Sequence, residues 1–383
     1  MEMRILVYDW CLHVIGGGQK VNCRIAEHLS QKHEVDILTL FPIEKEKLEK
    51  YYSVNFSKLG RIRYMYKKSN INPSLLFLLC FRKVSKIAQE YDVLINADAH
   101  ETVKPVAKYN IMYCHFFRPK RYRPAKGFFD ALVLSALYIF RSILKNYAKD
   151  YDAIYCNSEF TKKWLKKLWK VNAKIIYPFV EVAEKKITKK ENMVISTGRL
   201  SPDKNYEFVI DCFKKLCDSA IRNYKCVIAG VGNKESNEYY NKLTNLIKGY
   251  PIDIKTNLTD KQIKRLYSKA KIFLMAKGLY VDENKFPTLV ENFGMAPVEA
   301  MAHGCVPVVL NKGGYKETVQ HGKSGFLFNT KKEAIEKLKL LIKDKKLWQK
   351  LSKNARQRAK KFSLKRLHHD LDRMMQDIKR IKK

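Results

Sequence analysis

The chain is short of acid, of paired cysteines and of long apolar runs, and each shortage narrows what it can be. Asp and Glu number 38 against 75 Lys and Arg, which leaves a net charge of +37. Such an excess draws a protein toward anionic partners, whether nucleic acid, a phospholipid surface or a phosphorylated substrate, and charge alone does not choose among them. Solvated lysine-rich helix faces are the plain alternative. The nine cysteines (Cys11, Cys23, Cys80, Cys114, Cys156, Cys212, Cys217, Cys226 and Cys305) contain no Cys-x-x-Cys pair and read as reduced thiols, several of them core residues of strands. No stretch reaches eighteen uncharged apolar residues; the nearest, "FFDALVLSALYIF" (128–140), is broken by Asp130 and closed by Arg141, which argues against a membrane span. The opening "MEMRILVYDW" starts a strand at once and lacks the plan of a signal peptide, so a cytoplasmic location is expected. Solenoid repeats and low-complexity tracts are absent too.

What is present is alternation. With 383 residues, 46% of them hydrophobic, the chain can fill two domain cores. Apolar runs of buried-strand type ("RILVYDW", "EVDILTL", "DVLINAD", "NIMYCHF", "DAIYCN", "AKIIYPF") alternate with amphipathic segments. After a charge-rich stretch at 180–192 the pattern restarts with "MVISTG", "YKCVIAG", "IDIKT", "KIFLMA", "VPVVLN" and "GFLF". The expected fold is α/β: two tandem Rossmann-like, doubly wound domains at 1–182 and 183–362, with a basic helix over 363–383 returning to the first. Ligands are expected where the carboxyl ends of both sheets face a shared cleft.

The stretch "ENFGMAPVEAMAHGCVPVV" (291–309) carries two glutamates eight apart, about two helical turns, too far to act as a dyad. Pro297 suits a first helical position and Gly294 a tight approach, so a helix starting near Ala296 is expected, with Glu291 in the incoming loop and Glu299 in the first turn. A free helix start flanked by two carboxylates suits a ligand with a phosphate in the middle and hydroxyls on both sides, as in a nucleotide sugar. Solvated glutamates favoured by the helix dipole are the bland reading. Arg199 and Lys204 follow a strand, where a fork donor and a point charge can hold a diphosphate. Gly16, Gly17 and Gly18 follow the first strand and let backbone approach a phosphate or sugar ring, or make a tight turn only. His115 ends an apolar strand, where a satisfied core histidine is the commoner case.

Together "STGRLSPDKN" (196–205), "IAGVGN" (228–233), the glutamate pair and "GGYKETVQHGKSGFLF" (313–328) resemble the family-four retaining glycosyltransferases of the GT-B fold over nearly the whole chain. In the first half, "GGGQKV" (16–21) and "YCHFFRP" (113–119) resemble the mannosyltransferases that extend lipid-linked oligosaccharides. The resemblance implies retaining, metal-independent transfer of a hexose, mannose favoured, from a nucleotide sugar to a glycan or polyprenyl-linked acceptor. No cofactor is implied, because the nucleotide sugar is a substrate. It places His115 beside the scissile bond, Arg199 and Lys204 on the diphosphate, Glu291 on donor-sugar hydroxyls and Glu299 on the ribose. Backbone donors come from Phe293, Gly294 and Met295, and Gly16, Gly17, Gly18, Gly230 and Gly232 are counted with the donor site. Two departures stand out: the long, charged "KGLYVDENKFPTLV" before Glu291, and Phe117 where the mannosyl branch often has proline, with Pro119 following. Asp150-Tyr151-Asp152 spells the metal-binding D-x-D of another fold and is read as chance, since basic donors replace metal here.

The alternatives are a sugar phosphorylase or sugar-nucleotide epimerase on the same plan, and a nucleic-acid-binding protein; specific nucleic-acid binding is not expected, because it has no use for two spaced glutamates in a cleft. A third anionic partner is a membrane. Between Lys104 and Lys126 lie seven basic residues and no acidic one, followed by apolar residues to 140, and "TKKWLKKLWK" (161–170) puts Trp164, Leu165, Leu168 and Trp169 opposite five lysines. Peripheral docking of the first domain on an anionic membrane is therefore expected, although the second segment can equally cover the sheet.

Overall fold

The computed structural model describes residues 2–14, 16–67, 76, 80–116, 127, 131–132, 135, 139, 143–182, 189–219, 221, 223–232 and 236–381. They form two compact units, 1–178 with 367–383, and 179–366. The first crossing lies at 178/179, ahead of the charge-rich stretch, because Phe179 and Val180 are fully buried in the second unit. The helix Leu364–Ile381 brings the chain back, with the His28 and His368 rings stacked at 4.3 Å and Lys174 paired with Asp377 at 2.7 Å.

In the first unit β1 (Arg4–Tyr8), β2 (Glu34–Thr39), β3 (Ile62–Tyr64), β4 (Val93–Asn96), β5 (Tyr109–Cys114), β6 (Ala153–Cys156) and β7 (Lys174–Ile175) form one parallel sheet in the order β3-β2-β1-β4-β5-β6-β7. The second holds β8 (Met193–Arg199), β9 (Lys225–Val231), β10 (Ile252–Thr256), β11 (Ile272–Met275), β12 (Val306–Leu310) and β13 (Phe326–Phe328), also parallel, in the order β10-β9-β8-β11-β12-β13. Strands such as "VLIN" and "VPVVL" are buried at every residue, as parallel strands covered on both faces must be. Each sheet reverses its order once, between β1 and β4 and between β8 and β11, and the carboxyl ends there are where such folds bind ligands. All twelve apolar runs read in the sequence contain strands. Among the described residues one further strand, β3, is a three-residue edge that pairs Ile62 with Ile37, too short to show a period.

The helix Glu159–Trp169 answers the membrane question for its own segment. Trp164, Leu165 and Trp169 are 5%, 0% and 7% exposed and pack with Ile154, Val171 and Ala173. Its apolar face is core, because a helix beside a parallel sheet must cover it. Ser158 is that helix's cap, accepting from the Thr161 N–H at 3.1 Å. Of the other basic segment, residues 117–126 and most of 127–140 lie outside the described residues. Among the described residues no helix is long and apolar enough to cross a membrane.

Candidate active site

In the first unit the site grows from the turn after β1. Gly16 has extended backbone and precedes the helix Gly17–Leu29, which has no side-chain cap. The Gly16 N–H donates to the Tyr52 hydroxyl at 3.0 Å, so of the three glycines Gly17 and Gly18 are the ones whose amides, among the described residues, stay unpaired at the helix start. A Cβ added at Gly18 would lie 3.6 Å from the His115 ring, which places the glycine turn and the histidine side by side. His115 follows β5, its carbonyl accepts from Asn157 Nδ2 at 2.7 Å, and its ring meets Tyr113 edge-on at 4.8 Å.

The ring's protonation follows from its neighbours. Asn22 Nδ2 donates to the Asp9 carboxylate at 2.8 Å, which leaves Asn22 Oδ1 to accept from His115 Nε2 at 2.7 Å. A histidine that donates from Nε2 and stays neutral presents Nδ1 as an acceptor. It stays neutral because burial pushes its pKa down to about 3. Burial raises Asp9 to about 6 against the hydrogen bonds from Asn22 and Cys11. Neither Asp9 nor Asn22 was anticipated. Asn22 stands one helical turn beyond Gly18, and that spacing is the signal that could have found it.

The second unit assembles the other predicted residues. Arg199 ends β8 and Lys204 lies in the turn that follows. Lys204 Nζ reaches Glu291 Oε2 at 3.3 Å, and Lys277, two residues past β11, approaches the same oxygen at 3.7 Å. These three side chains are 13%, 20% and 14% exposed for Lys204, Glu291 and Lys277. Burial alone would raise the Glu291 carboxyl, but the two ammonium groups outweigh it and hold it at about 2. Arg199 is more open and lies 3.9 Å from Asp203. Lys277 was missed, although it directly follows "FLMA" at a strand's carboxyl end.

The loop that departs from the family pattern is tied down. Lys312 Nζ donates to the carbonyls of Gly278, Leu279 and Val281 at 3.3, 3.0 and 2.7 Å, and Glu283 accepts from the Gly313 N–H and Lys316. Behind Glu291 the glycine pair of "GGYKE" allows contact: the Gly314 N–H donates to the Glu291 carbonyl at 2.7 Å, and a Cβ at Gly314 would come within 2.4 Å of the Asn292 carbonyl oxygen.

The helix runs Met295–Ala302, one residue earlier than expected, with Gly294 before it at φ 96°. Pro297 occupies the third helical position, where a missing N–H is equally harmless. Glu299 therefore sits just past the first turn. Phe293 is 2% exposed and packs edge-on to Phe362 at 5.2 Å, so it offers backbone only. Gly230 has a packing duty: a Cβ there would strike Leu200 at 2.5 Å. The Gly232 N–H donates to Asn257 at 3.4 Å.

Asp152 of the D-x-D accepts from the Asn110 N–H at 2.7 Å, at the amino end of β5 and so at the opposite edge of its sheet from the carboxyl ends of β1 and β4, and Asp150 pairs with Lys145. Among the described residues the group able to hold a cation is Asp9, Cys11 and Asp98, with ligand atoms within 4.8 Å of one another. Its atoms are already engaged: Asp9 by Asn22 and the Cys11 N–H, Asp98 by the Trp10 N–H, and the Cys11 sulfur by Gln19.

Two family models match adjoining parts of the chain: Glycosyltransferase Family 4 over residues 15–184 and Glycosyl transferases group 1 over 180–358. A GDP-Man:Man(3)GlcNAc(2)-PP-Dol alpha-1,2-mannosyltransferase of Dictyostelium discoideum is 25% identical over 55% of this chain and 44% of its own length; the Homo sapiens enzyme of that name is 27% identical over 62% and 50%. The chain thus spans about half the length of these curated relatives. Among solved structures, Anabaena Alr3699/HepE with UDP and glucose superposes with a TM-score of 0.71 over 98% of this chain and 100% of that one at 17% identity, and a glycosyltransferase of Rickettsia africae with 0.70 over 100% and 99% at 18%. The fold of those neighbours is GT-B, and with both halves of the chain matched the protein belongs to the group 1, family-four glycosyltransferases.

Proposed function

We propose that the protein transfers a hexose, mannose first among them, from a nucleotide sugar to a lipid-linked glycan, with retention at the anomeric carbon and without a metal. The observation that carries this reading is the buried Lys204–Glu291 contact beside Arg199 and an uncapped helix start. The acceptor hydroxyl attacks the anomeric carbon, the bond to phosphate breaks, and the leaving diphosphate takes the acceptor's proton on the same face. Arg199, Lys204 and the amides before Glu299 stabilise the charge that grows on that diphosphate. Glu291 accepts from sugar hydroxyls, Glu299 from the ribose, and His115 Nδ1 from a hydroxyl near the reacting carbon. The names of the relatives support mannose and a lipid-linked acceptor. Incubation with GDP-, UDP- and ADP-hexoses and a lipid-linked oligosaccharide, in EDTA, tests it. An axial-to-axial product by NMR is expected from GDP-mannose; inversion, or a strict metal requirement, overturns the mechanism.

A further inference from the structure

The Glu291 site holds more positive charge than its own carboxylates balance. Asp203 stands by Arg199 at 3.9 Å and acts on Lys277 only from farther off, so among the described residues Glu291 is the one carboxylate within ion-pair distance of both Lys204 and Lys277. One carboxylate cannot neutralise two ammonium groups, and uncompensated charge away from water is costly. Other lysines of this unit show how such a group is normally settled: Lys190 donates to the carbonyls of Tyr267, Ala270 and His303 at 3.0, 2.8 and 2.7 Å, and Lys312 likewise has three carbonyls. Lys277 carries three N–H donors, and among the described residues none has a protein acceptor within hydrogen-bond distance; Glu291 at 3.7 Å is an ion pair only. The neighbouring Tyr206 and Tyr315 hydroxyls, 0% and 1% exposed as residues, also lack partners. Tyr206 Oη lies 3.1 Å from where a Gly198 Cβ would be, and Lys204 Cε 3.3 Å from that point, so this unfilled donor lies on the Lys204 side of the site.

From this geometry we infer that Lys277 is a third diphosphate-binding cation, which Glu291 occupies until a donor arrives. The inference rests on the donor site proposed above. When the diphosphate binds, it takes over Lys204 and Lys277 and releases the Glu291 carboxylate to accept sugar hydroxyls. Anion capture and sugar recognition are thereby coupled through one oxygen atom.

Inorganic pyrophosphate is the probe, because it carries the diphosphate without base or sugar. Calorimetry of the full chain compares wild type, Lys204→Met and Lys277→Met, each with its melting temperature recorded. A charge-assisted hydrogen bond is worth roughly a tenfold or greater change in affinity. Lys277→Met is expected to weaken pyrophosphate about tenfold, its melting temperature serving only to show that the variant is folded at the temperature of the titration. If Lys204→Met loses affinity and Lys277→Met does not, the role of Lys277 is refuted while the donor site stands. Failure of wild type to bind pyrophosphate refutes both. Should Lys277→Met not fold, Lys277→Gln, with its polar end, is read by the same criteria.

Discussion

Replacing Glu291 by alanine strips the counter-ion from two lysines at once. At 3.3 and 3.7 Å, with an effective dielectric constant of 20, each attraction is about 5 kcal/mol before the cost of desolvation is subtracted. Removing one partner of a buried pair typically costs about 3–5 kcal/mol, because the remaining charge stays buried. The titration of Glu291 gives a similar figure: a carboxyl held at about 2 rather than its ordinary 4.5 has about 3 kcal/mol of net interaction with its charged form. For a unit of this size, a loss of about 3 kcal/mol lowers the melting temperature by roughly 6–12 °C. Trp348, the one tryptophan of the second unit, reports that unfolding by fluorescence. The stabilisation is complete above pH 4.5 and is lost as pH falls toward 2, so variant and wild type should converge in acid. Nucleoside diphosphate affinity should hold or rise, since a competing carboxylate has gone, while transfer is lost. Equal stability at pH 7 in low salt, or nucleotide affinity falling as far as in Lys204→Met, refutes the reasoning.

Arg199→Ala and Lys204→Ala are each expected to slow transfer about ten- to hundredfold, one charged hydrogen bond apiece, whereas EDTA leaves wild-type turnover unchanged; restoration by manganese of a chelated, silent enzyme contradicts this. Gly314→Ala drives a methyl group onto the Asn292 carbonyl and the Phe293 backbone, at 2.4 and 2.5 Å, so it should cost about 1–3 kcal/mol in a urea titration and reduce transfer by moving Glu291. His115 is held near 3 when folded against 6.5 when unfolded, so it favours folding fully above pH 6.5 and loses that contribution as pH falls toward 3. His115→Gln should therefore flatten the decline in urea midpoint between pH 7.5 and 5; an unchanged slope refutes the buried neutral ring.

The strands were legible because a parallel strand covered on both faces must be apolar throughout, as "VPVVL" and "IFLM" are. Arg199 and Lys204 were legible for a related reason, since they close an apolar run where the chain turns at a sheet's carboxyl edge, and Glu291 was legible from the helix start that follows it. Lys277 obeys the same rule, yet it opens a charged loop in which Lys285 and Glu283 look no different in sequence. Only the fold separates it, by sinking its ammonium group beside Glu291 and leaving Lys285 76% exposed. Asn22 was hidden by another limit: its partners Asp9 and His115 directly follow β1 and β5, and no local pattern records which strands become neighbours of one helix. The tryptophans of 161–170 show the converse, since an amphipathic pattern gives a helix's apolar face but not whether lipid or sheet covers it.

The central claim is that fixed cations of the second unit, rather than a metal, hold a nucleotide donor's diphosphate. Calorimetric titration of GDP, UDP and ADP into metal-free protein with EDTA, repeated on Lys204→Met, tests it most directly. At least one nucleotide should bind wild type with the same affinity before and after EDTA, and bind Lys204→Met at least tenfold more weakly. Binding that requires added metal, or that is indifferent to the loss of Lys204, contradicts the account.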